Sequence, residues 1–102
     1  MRLIDLKTLQ GFWARHPDAE GPLTKWSHIA QAAGWQSLQD VRRIFPAADA
    51  VTVGSGRTAT VFNIGGNKYR LITAIHYNGQ VVFLMMVLSH KDYDTGKWKE
   101  QL

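Results

Sequence analysis

The chain has 102 residues, of which 45% are hydrophobic and 20% charged, and this size fits one compact domain over residues 1–102. Twelve Lys and Arg residues against eight Asp and Glu residues give a formal net charge of +4, which favours an anionic partner. Cysteine is absent, which excludes disulfide-stapled folds, thiolate nucleophiles and zinc sites with thiolate ligands.

The apolar segments are short. The longest run, Val81 to Leu88, is far below the roughly 20 residues of a transmembrane helix. Near the N-terminus, Asp5 and Lys7 interrupt the apolar stretch that a secretory signal needs. We therefore expect a cytoplasmic protein with no membrane partner.

The first half of the chain is predicted to be mainly helical. Met1 to Ile4 suits a short edge strand, and Asp5 suits the N-cap of a helix that ends at Pro17. A second helix is predicted from Pro22 to Ala33, because apolar residues recur there at helical spacing and Gly34 provides a stop.

A third, shorter helix is predicted before the middle of the chain. Ser37, with Asp40 three residues later, resembles a capping box. The helix is expected to continue through Ile44 until Pro46 closes it. The apolar stripes of these helices are available to cover one face of a sheet.

The second half is predicted to be an antiparallel meander. Asn78-Gly79 indicates a two-residue type I′ hairpin, which needs positive φ at both positions. The fold class is therefore α+β, with a small antiparallel sheet and the N-terminal helices packed on one face. The predicted strands, separated by Gly-containing turns, are Ala50 to Val53, Thr58 to Ile64, Tyr69 to Tyr77 and Gln80 to Ser89.

Polar residues cluster at one end of this meander. Counting back from a two-residue turn places Arg70 opposite Val87 and Lys68 opposite Ser89. Strict alternation then puts Arg70 and His90 on opposite faces, so their convergence requires a β-bulge or a chain that leaves the ladder near Ser89. The clustered residues are Asn63, Asn67, Lys68, Arg70 and the segment Ser89 to Asp94.

Arg70 is the most informative of these residues, because its strand neighbours are apolar or small and a charge there is costly unless it is used. Each member of the cluster has an ordinary structural explanation when taken alone. Together, Lys68, Arg70, His90, Lys91 and Tyr93 supply cations for a phosphate, a titratable imidazole and an aromatic ring for stacking on a base.

No metal or cofactor is expected. The four histidines are spread along the chain without a ligand spacing, and Gly65-Gly66-Asn67-Lys68 lacks the spacing of a phosphate-binding loop. In the tail, Trp98 lies between Lys97 and Lys99, where it either packs on the sheet or contacts nucleic acid, and packing is the favoured interpretation.

Two segments carry a resemblance to a known family. Val61 to Ile72 and Leu88 to Asp94 resemble the HigB-type mRNA interferase toxins of the RelE/ParE superfamily, and Ile44 to Asp49 fits in order and length. The likeness covers essentially the whole chain. It implies a RelE-like fold and a ribosome-dependent, metal-independent endoribonuclease that cuts translated mRNA by attack of the ribose 2′-OH on the adjacent phosphate.

The resemblance also implies partners and roles. The expected partners are the ribosome with mRNA in its decoding site and a HigA-like helix-turn-helix antitoxin, through which the toxin would contact operator DNA only indirectly. Arg70 would bind the scissile phosphate with Lys68 and Lys91, His90 would transfer a proton, and Tyr93 would orient or stack on bases. The further candidate RNA contacts are Asn63, Asn67, Arg57, Lys97 and Lys99.

Two alternatives to the endoribonuclease remain: one keeps the fold without RNase activity, and the other keeps RNA binding without catalysis. A gyrase-poisoning relative or an inactive co-repressor would have the same fold without RNase activity. A non-catalytic RNA-binding module would use the sheet face, but the readable strand faces carry aliphatic residues in place of paired aromatic residues. Codon preference and the assignment of general base and general acid stay open at this point.

Overall fold

The fold is seen in a computed structural model that describes residues 1–102. The helices are α1 (Lys7–Arg15), α2 (Glu20–Ala32), α3 (Leu38–Ile44) and α4 (His90–Asp94), with 3₁₀ turns at Pro17–Ala19 and Lys97–Gln101. The strands are β1 (Arg2–Ile4), β2 (Asp49–Thr52), β3 (Thr58–Ile64), β4 (Tyr69–His76) and β5 (Val81–Ser89).

The five strands form one sheet in the order β1-β5-β4-β3-β2. Strands β2 to β5 are an antiparallel meander, as predicted, and β1 joins the edge of β5 in parallel, which makes the sheet mixed. The α+β fold class is confirmed. No helix combines the length and the apolar character needed to cross a bilayer.

One face of the sheet, which we call the helix-covered face, carries the larger core. Phe62 lies at its centre with no exposed surface, and the rings of Trp26, Trp35 and Phe45 pack around it at centroid distances of 5.1, 6.1 and 5.3 Å. Trp26 and Trp35 are buried in this core, whereas Trp13 is only partly buried.

The opposite face, which we call the C-terminal face, carries a smaller core. Ile72 and Val61 on this face are covered by Trp98, which is only 4% exposed. Trp98 therefore packs on the sheet, as favoured from the sequence. The covering segment, residues 90–102, crosses this face after β5 ends.

Two predicted helix caps are wrong in detail. Leu6 is the N-cap of α1, and Asp5 has a φ of 75°, outside the extended conformation of a normal N-cap. At α3, Ser37 occupies the N-cap position but its hydroxyl makes no capping bond, while Oδ2 of Asp40 accepts from the backbone N–H of Gln36. In a capping box the Asp40 carboxylate would accept from the backbone N–H of Ser37. Here it accepts from the N–H of the preceding residue, Gln36.

The β4–β5 turn also differs from the prediction. Neither Asn78 nor Gly79 has a positive φ, and the left-handed residue is Gln80, with a φ of 56°. A type I′ turn is therefore wrong, because it requires positive φ at both central residues. The side-chain amide of Gln80 donates to the carbonyl oxygens of Trp35 (2.7 Å) and Tyr77 (2.9 Å), which ties this unusual conformation to the helical layer.

A β-bulge in β5 determines where the meander ends meet. Thr73 pairs with Leu84 and Ile72 with Met86, so Met85 is the extra residue. The predicted pairing is correct on the turn side of the bulge. Beyond it the register shifts by one, and Arg70 lies opposite Leu88 instead of the predicted Val87.

Candidate active site

The candidate active site is built around Arg70, near the start of β4. Its guanidinium lies on the C-terminal face, and the residue is only 8% exposed. Nη1 donates to the carbonyl oxygens of Asn67 (3.2 Å) and Tyr69 (3.1 Å), and Nη2 donates to Oδ1 of Asn67 (3.1 Å). Asn67 therefore fixes the guanidinium and is a positioning residue, in addition to its predicted place among the RNA contacts.

These three bonds leave part of the guanidinium unused. A guanidinium has five N–H groups, so the Nε–H and one Nη2–H remain for a ligand. None of the four ion pairs in the structure includes Arg70, and so no carboxylate neutralises it. A buried cation without a counter-ion favours binding of an anion such as phosphate.

Tyr93 supports Arg70 from α4. The Cζ atom of Arg70 lies 5.6 Å from the centroid of the Tyr93 ring, and the Trp98 ring stacks on Tyr93 at 5.3 Å. Burial raises the pKa of the Tyr93 hydroxyl, with Asp49 adding to the rise and Arg70 opposing it. Because its ring already contacts two side chains, Tyr93 is better placed to hold Arg70 than to stack on a base.

His90 begins α4 where the chain leaves the sheet. Its backbone N–H donates to the carbonyl oxygen of Lys68 (3.1 Å), so the ends of β4 and β5 meet as predicted. Nε2 of His90 lies 3.2 Å from Oδ2 of Asp94, four residues later on the same helix. The Asp94 carboxylate therefore lies beside the imidazole ring. Oγ of Ser89 caps α4 by accepting from the N–H of Asp92.

Lys68 is turned away from Arg70. Its ammonium forms an ion pair with Asp18 in the 3₁₀ turn before α2, and Oδ1 of the same carboxylate accepts from the Tyr69 hydroxyl at 2.8 Å. These contacts hold the pKa of Asp18 below its usual value, and the carboxylate in turn raises the pKa of Lys68 and of Tyr69. Lys68 therefore joins the two layers and contributes little free positive charge to the site.

The remaining catalytic candidate, Lys91, and three of the predicted RNA contacts lie on β3 or on the segment after β5. Asn63 is the direct partner of Arg70 across β3 and β4. Lys91 and Lys97 are exposed, with no ion pair, on the segment after β5. Lys99 lies above the ring of Trp98, with Nζ at 5.9 Å from the centroid.

Arg57 does not belong to this site. It lies in the β2–β3 turn, six residues along β3 from the partner of Arg70, a separation of about 20 Å. It was predicted among the RNA contacts. Arg57 precedes the start of β3, whereas Asn63, the partner of Arg70, lies near the end of β3, so Arg57 is at the opposite end of the sheet.

Two acidic residues, Asp94 and Asp18, were given no role from the sequence. Asp94 could have been found from the sequence, because a His and an Asp four residues apart face each other on a helix. Asp18 lies 50 residues from Lys68, and no local pattern predicts that contact. No three His, Cys, Asp or Glu side chains come together in an arrangement suited to a metal ion.

Comparisons with known proteins connect this arrangement to a family. Residues 19–96 match the family described as HigB_toxin, RelE-like toxic component of a toxin-antitoxin system. Over 94 residues, 92% of this chain and 88% of the relative, the chain is 24% identical to "mRNA interferase toxin HigB" of Escherichia coli (strain K12). The proteins called "mRNA interferase HigB" in Escherichia coli O157:H7 and Shigella flexneri match with the same identity and coverage. The family match includes β3, β4 and the candidate active site, and the chain belongs to the HigB family of RelE-like toxins of toxin-antitoxin systems.

Proposed function

We propose that this chain is an endoribonuclease that cuts mRNA during translation on the ribosome. The observation that carries the proposal is Arg70, a buried cation held by Asn67 and Tyr69 with two N–H groups unused and no carboxylate partner. The names of the relatives, which describe mRNA interferases, support RNA as the substrate.

The reaction begins with attack of a ribose 2′-oxygen on the adjacent phosphorus. The bond from phosphorus to the 5′-oxygen then breaks, which leaves a 2′,3′-cyclic phosphate and a 5′-hydroxyl. Arg70 binds the non-bridging oxygens through its Nε–H and Nη2–H and stabilises the charge that develops on them. Lys91, exposed on α4, adds positive charge at the same end of the sheet.

Proton transfer falls to His90. An imidazole can take the proton of the 2′-OH or supply one to the departing 5′-oxygen, and the Asp94 carboxylate lies beside this ring. Tyr93 holds Arg70 in place. Lys68 reaches the RNA only if it leaves Asp18, so its part in catalysis is secondary to that of Arg70.

The proposed partners follow from the family. A toxin requires an antitoxin, for which we propose a HigA-like helix-turn-helix protein that also links the complex to operator DNA. The moderate charge of +4 suits an enzyme whose RNA is held for it by the ribosome. The site of action is then the cytoplasm.

The test is controlled expression without an antitoxin, followed by primer extension on cellular mRNA. The wild-type protein arrests growth and cuts within translated codons, and Arg70→Ala and His90→Gln relieve the arrest. Thermal unfolding of the purified variants checks that they are folded. Full toxicity of both variants contradicts the proposed site, and DNA damage with intact mRNA points to the gyrase-poisoning alternative.

A further inference from the structure

A groove of about 330 Å³ lies on the C-terminal face, between β5 and the segment 90–102. Its floor is apolar and includes Met86, Leu88 and Trp98. Its rim carries Asp92 from α4 and Lys97 from the final 3₁₀ turn. None of the roles given so far to Arg70, His90 and Tyr93 uses this groove.

The groove is continuous with the candidate active site. Leu88, in its floor, is the cross-strand partner of Arg70, and such partners lie about 5 Å apart. Trp98, also in its floor, stacks on the Tyr93 ring that supports the guanidinium. A nucleotide whose phosphate is bound by Arg70 can therefore place its base in the groove.

The size and the floor suit a single base. At about 30 Å³ per water molecule, the groove holds on the order of ten waters, which leaves room for one planar nucleobase. Bases that are splayed out of a single strand bind through stacking on aromatic and apolar surfaces. Leu88 and Met86 are partly buried beside Trp98 and offer such a surface.

The rim supplies unused polar groups of both signs. The backbone of Asp92 is fixed by Ser89 and Thr95, but its carboxylate makes no hydrogen bond or ion pair within the chain. The Lys97 ammonium likewise has no ion-pair partner. The groove therefore offers a carboxylate with two acceptor oxygens and, separately, a cationic donor.

This combination distinguishes guanine from the other bases. Guanine alone has two adjacent N–H donors on its Watson–Crick edge, N1–H and N2–H, which match the two oxygens of a carboxylate. Its O6 and N7 atoms accept from a cation. Adenine and cytosine place an acceptor beside their amino group, where a carboxylate is repelled. Uracil has a single N–H between two carbonyls.

We propose that the groove is a guanine-binding subsite, with Asp92 reading the Watson–Crick edge and Lys97 the O6 and N7 atoms. The proposal deepens the RNase function and rests on it, because the base belongs to a nucleotide whose phosphate lies at Arg70. It gives Lys97 base recognition in place of general attraction of the RNA backbone.

The first experiment does not depend on cleavage. Isotope-labelled protein is titrated with the 5′-monophosphates of guanosine, adenosine, cytidine and uridine, and the indole N–H of Trp98 is followed by NMR, with that of Trp35 as an internal reference. The guanosine nucleotide shifts the Trp98 signal with an affinity at least about tenfold above the other three. Asp92→Asn removes this preference, and Glu100→Gln, a matched change on the final 3₁₀ turn, keeps it.

The second experiment maps cleavage sites in cells by sequencing 5′ ends. The wild-type protein shows guanine enriched at one fixed position beside the cut. Asp92→Asn shifts the preference towards adenine or cytosine, because an amide offers one donor and one acceptor. Lys97→Gln weakens the guanine preference several-fold, whereas the matched control Lys7→Gln on α1 leaves it unchanged.

The outcomes separate the two proposals. Equal affinity for all four nucleotides, or a uniform loss of cleavage in Asp92→Asn without a change of base preference, overturns the guanine subsite. Selective binding of the guanosine nucleotide with no cleavage of mRNA supports the subsite and contradicts the RNase function. Cleavage without guanine enrichment supports the RNase function and overturns the subsite.

Discussion

The two faces of the sheet are built differently. The helix-covered face buries a continuous cluster of seventeen residues, with Phe62 at its centre. The C-terminal face buries a cluster of five residues that includes Trp98, and it accommodates the guanidinium of Arg70 at its end. Apolar burial supplies most of the stability of a small domain. The helix-covered face therefore provides most of the stability, and the C-terminal face, with its smaller core, can accommodate a charged side chain.

The largest expected effect is on the helix-covered face. Phe62→Ala removes a ring that contacts three other aromatic side chains and should lower the free energy of unfolding by about 3–5 kcal/mol. Denaturant titration measures this. Phe83→Ala, the same change at a half-buried position on the C-terminal face, serves as the matched control. An equal loss in the two variants contradicts the difference between the faces.

Trp98→Ala tests the C-terminal face directly. The free energy of unfolding should fall by about 2–3 kcal/mol. This is less than the usual loss of about 3–5 kcal/mol for truncation of a large aromatic residue, because the cluster under Trp98 is small. RNA cleavage should fall at temperatures where the variant is folded, since Tyr93 loses the ring that supports it. Denaturation and cleavage are measured on the same preparation. Unchanged cleavage would contradict this supporting role.

Arg70→Met separates function from stability. Methionine fills similar space without a buried charge, so the free energy of unfolding should stay within about 1 kcal/mol of the wild type or rise. Cleavage should be abolished. Arg70→Lys keeps the charge but lacks the two-pronged donor geometry and should recover only a small part of the activity. A large loss of stability in Arg70→Met would show that the guanidinium is structural.

The smallest effect concerns the contact between the two layers at Asp18. Its pKa is lowered in the folded chain by Lys68, so its contribution to stability is present above the ordinary aspartate pKa of about 3.9 and is lost as pH falls through the folded value. Asp18→Asn should therefore flatten the loss of stability between about pH 5 and pH 2. Thermal unfolding across this range measures it.

Glu20→Gln is the control for this last experiment, because it removes a nearby carboxylate that makes no ion pair. It should keep the acid dependence of the wild type. If Asp18→Asn behaves in the same way as Glu20→Gln, the ion pair with Lys68 contributes nothing measurable in solution.

Much of the fold could be predicted from the sequence. The bounds of β3 were predicted to the residue, and those of β4 and β5 to within one residue, because strands of alternating or apolar residues between Gly-containing turns are a local signal. The caps of α1 and α3 were not predicted correctly. Several side chains near the start of a helix can accept hydrogen bonds from the same backbone N–H groups.

The site was predictable only in part. The meeting of Arg70 with the start of α4 followed from hairpin counting, and the need for a bulge was recognised without its position. Met85 carries no sequence mark of a bulge, such as glycine. The pairing of Lys68 with Asp18 and the position of Arg57 at the far end of the sheet depended on how the elements pack.

The sequence by itself thus determined most of the elements, the fold class, the net positive charge and the candidate residues of the site. The tertiary structure decided which charged side chains are paired and which are left without a partner. It buries Arg70 without a counter-ion, neutralises Lys68 with Asp18, and stacks Tyr93 on Trp98 beside the groove that we propose binds a base. Local periodicity encodes helices and strands, whereas the environment of a charge depends on residues that only folding brings near.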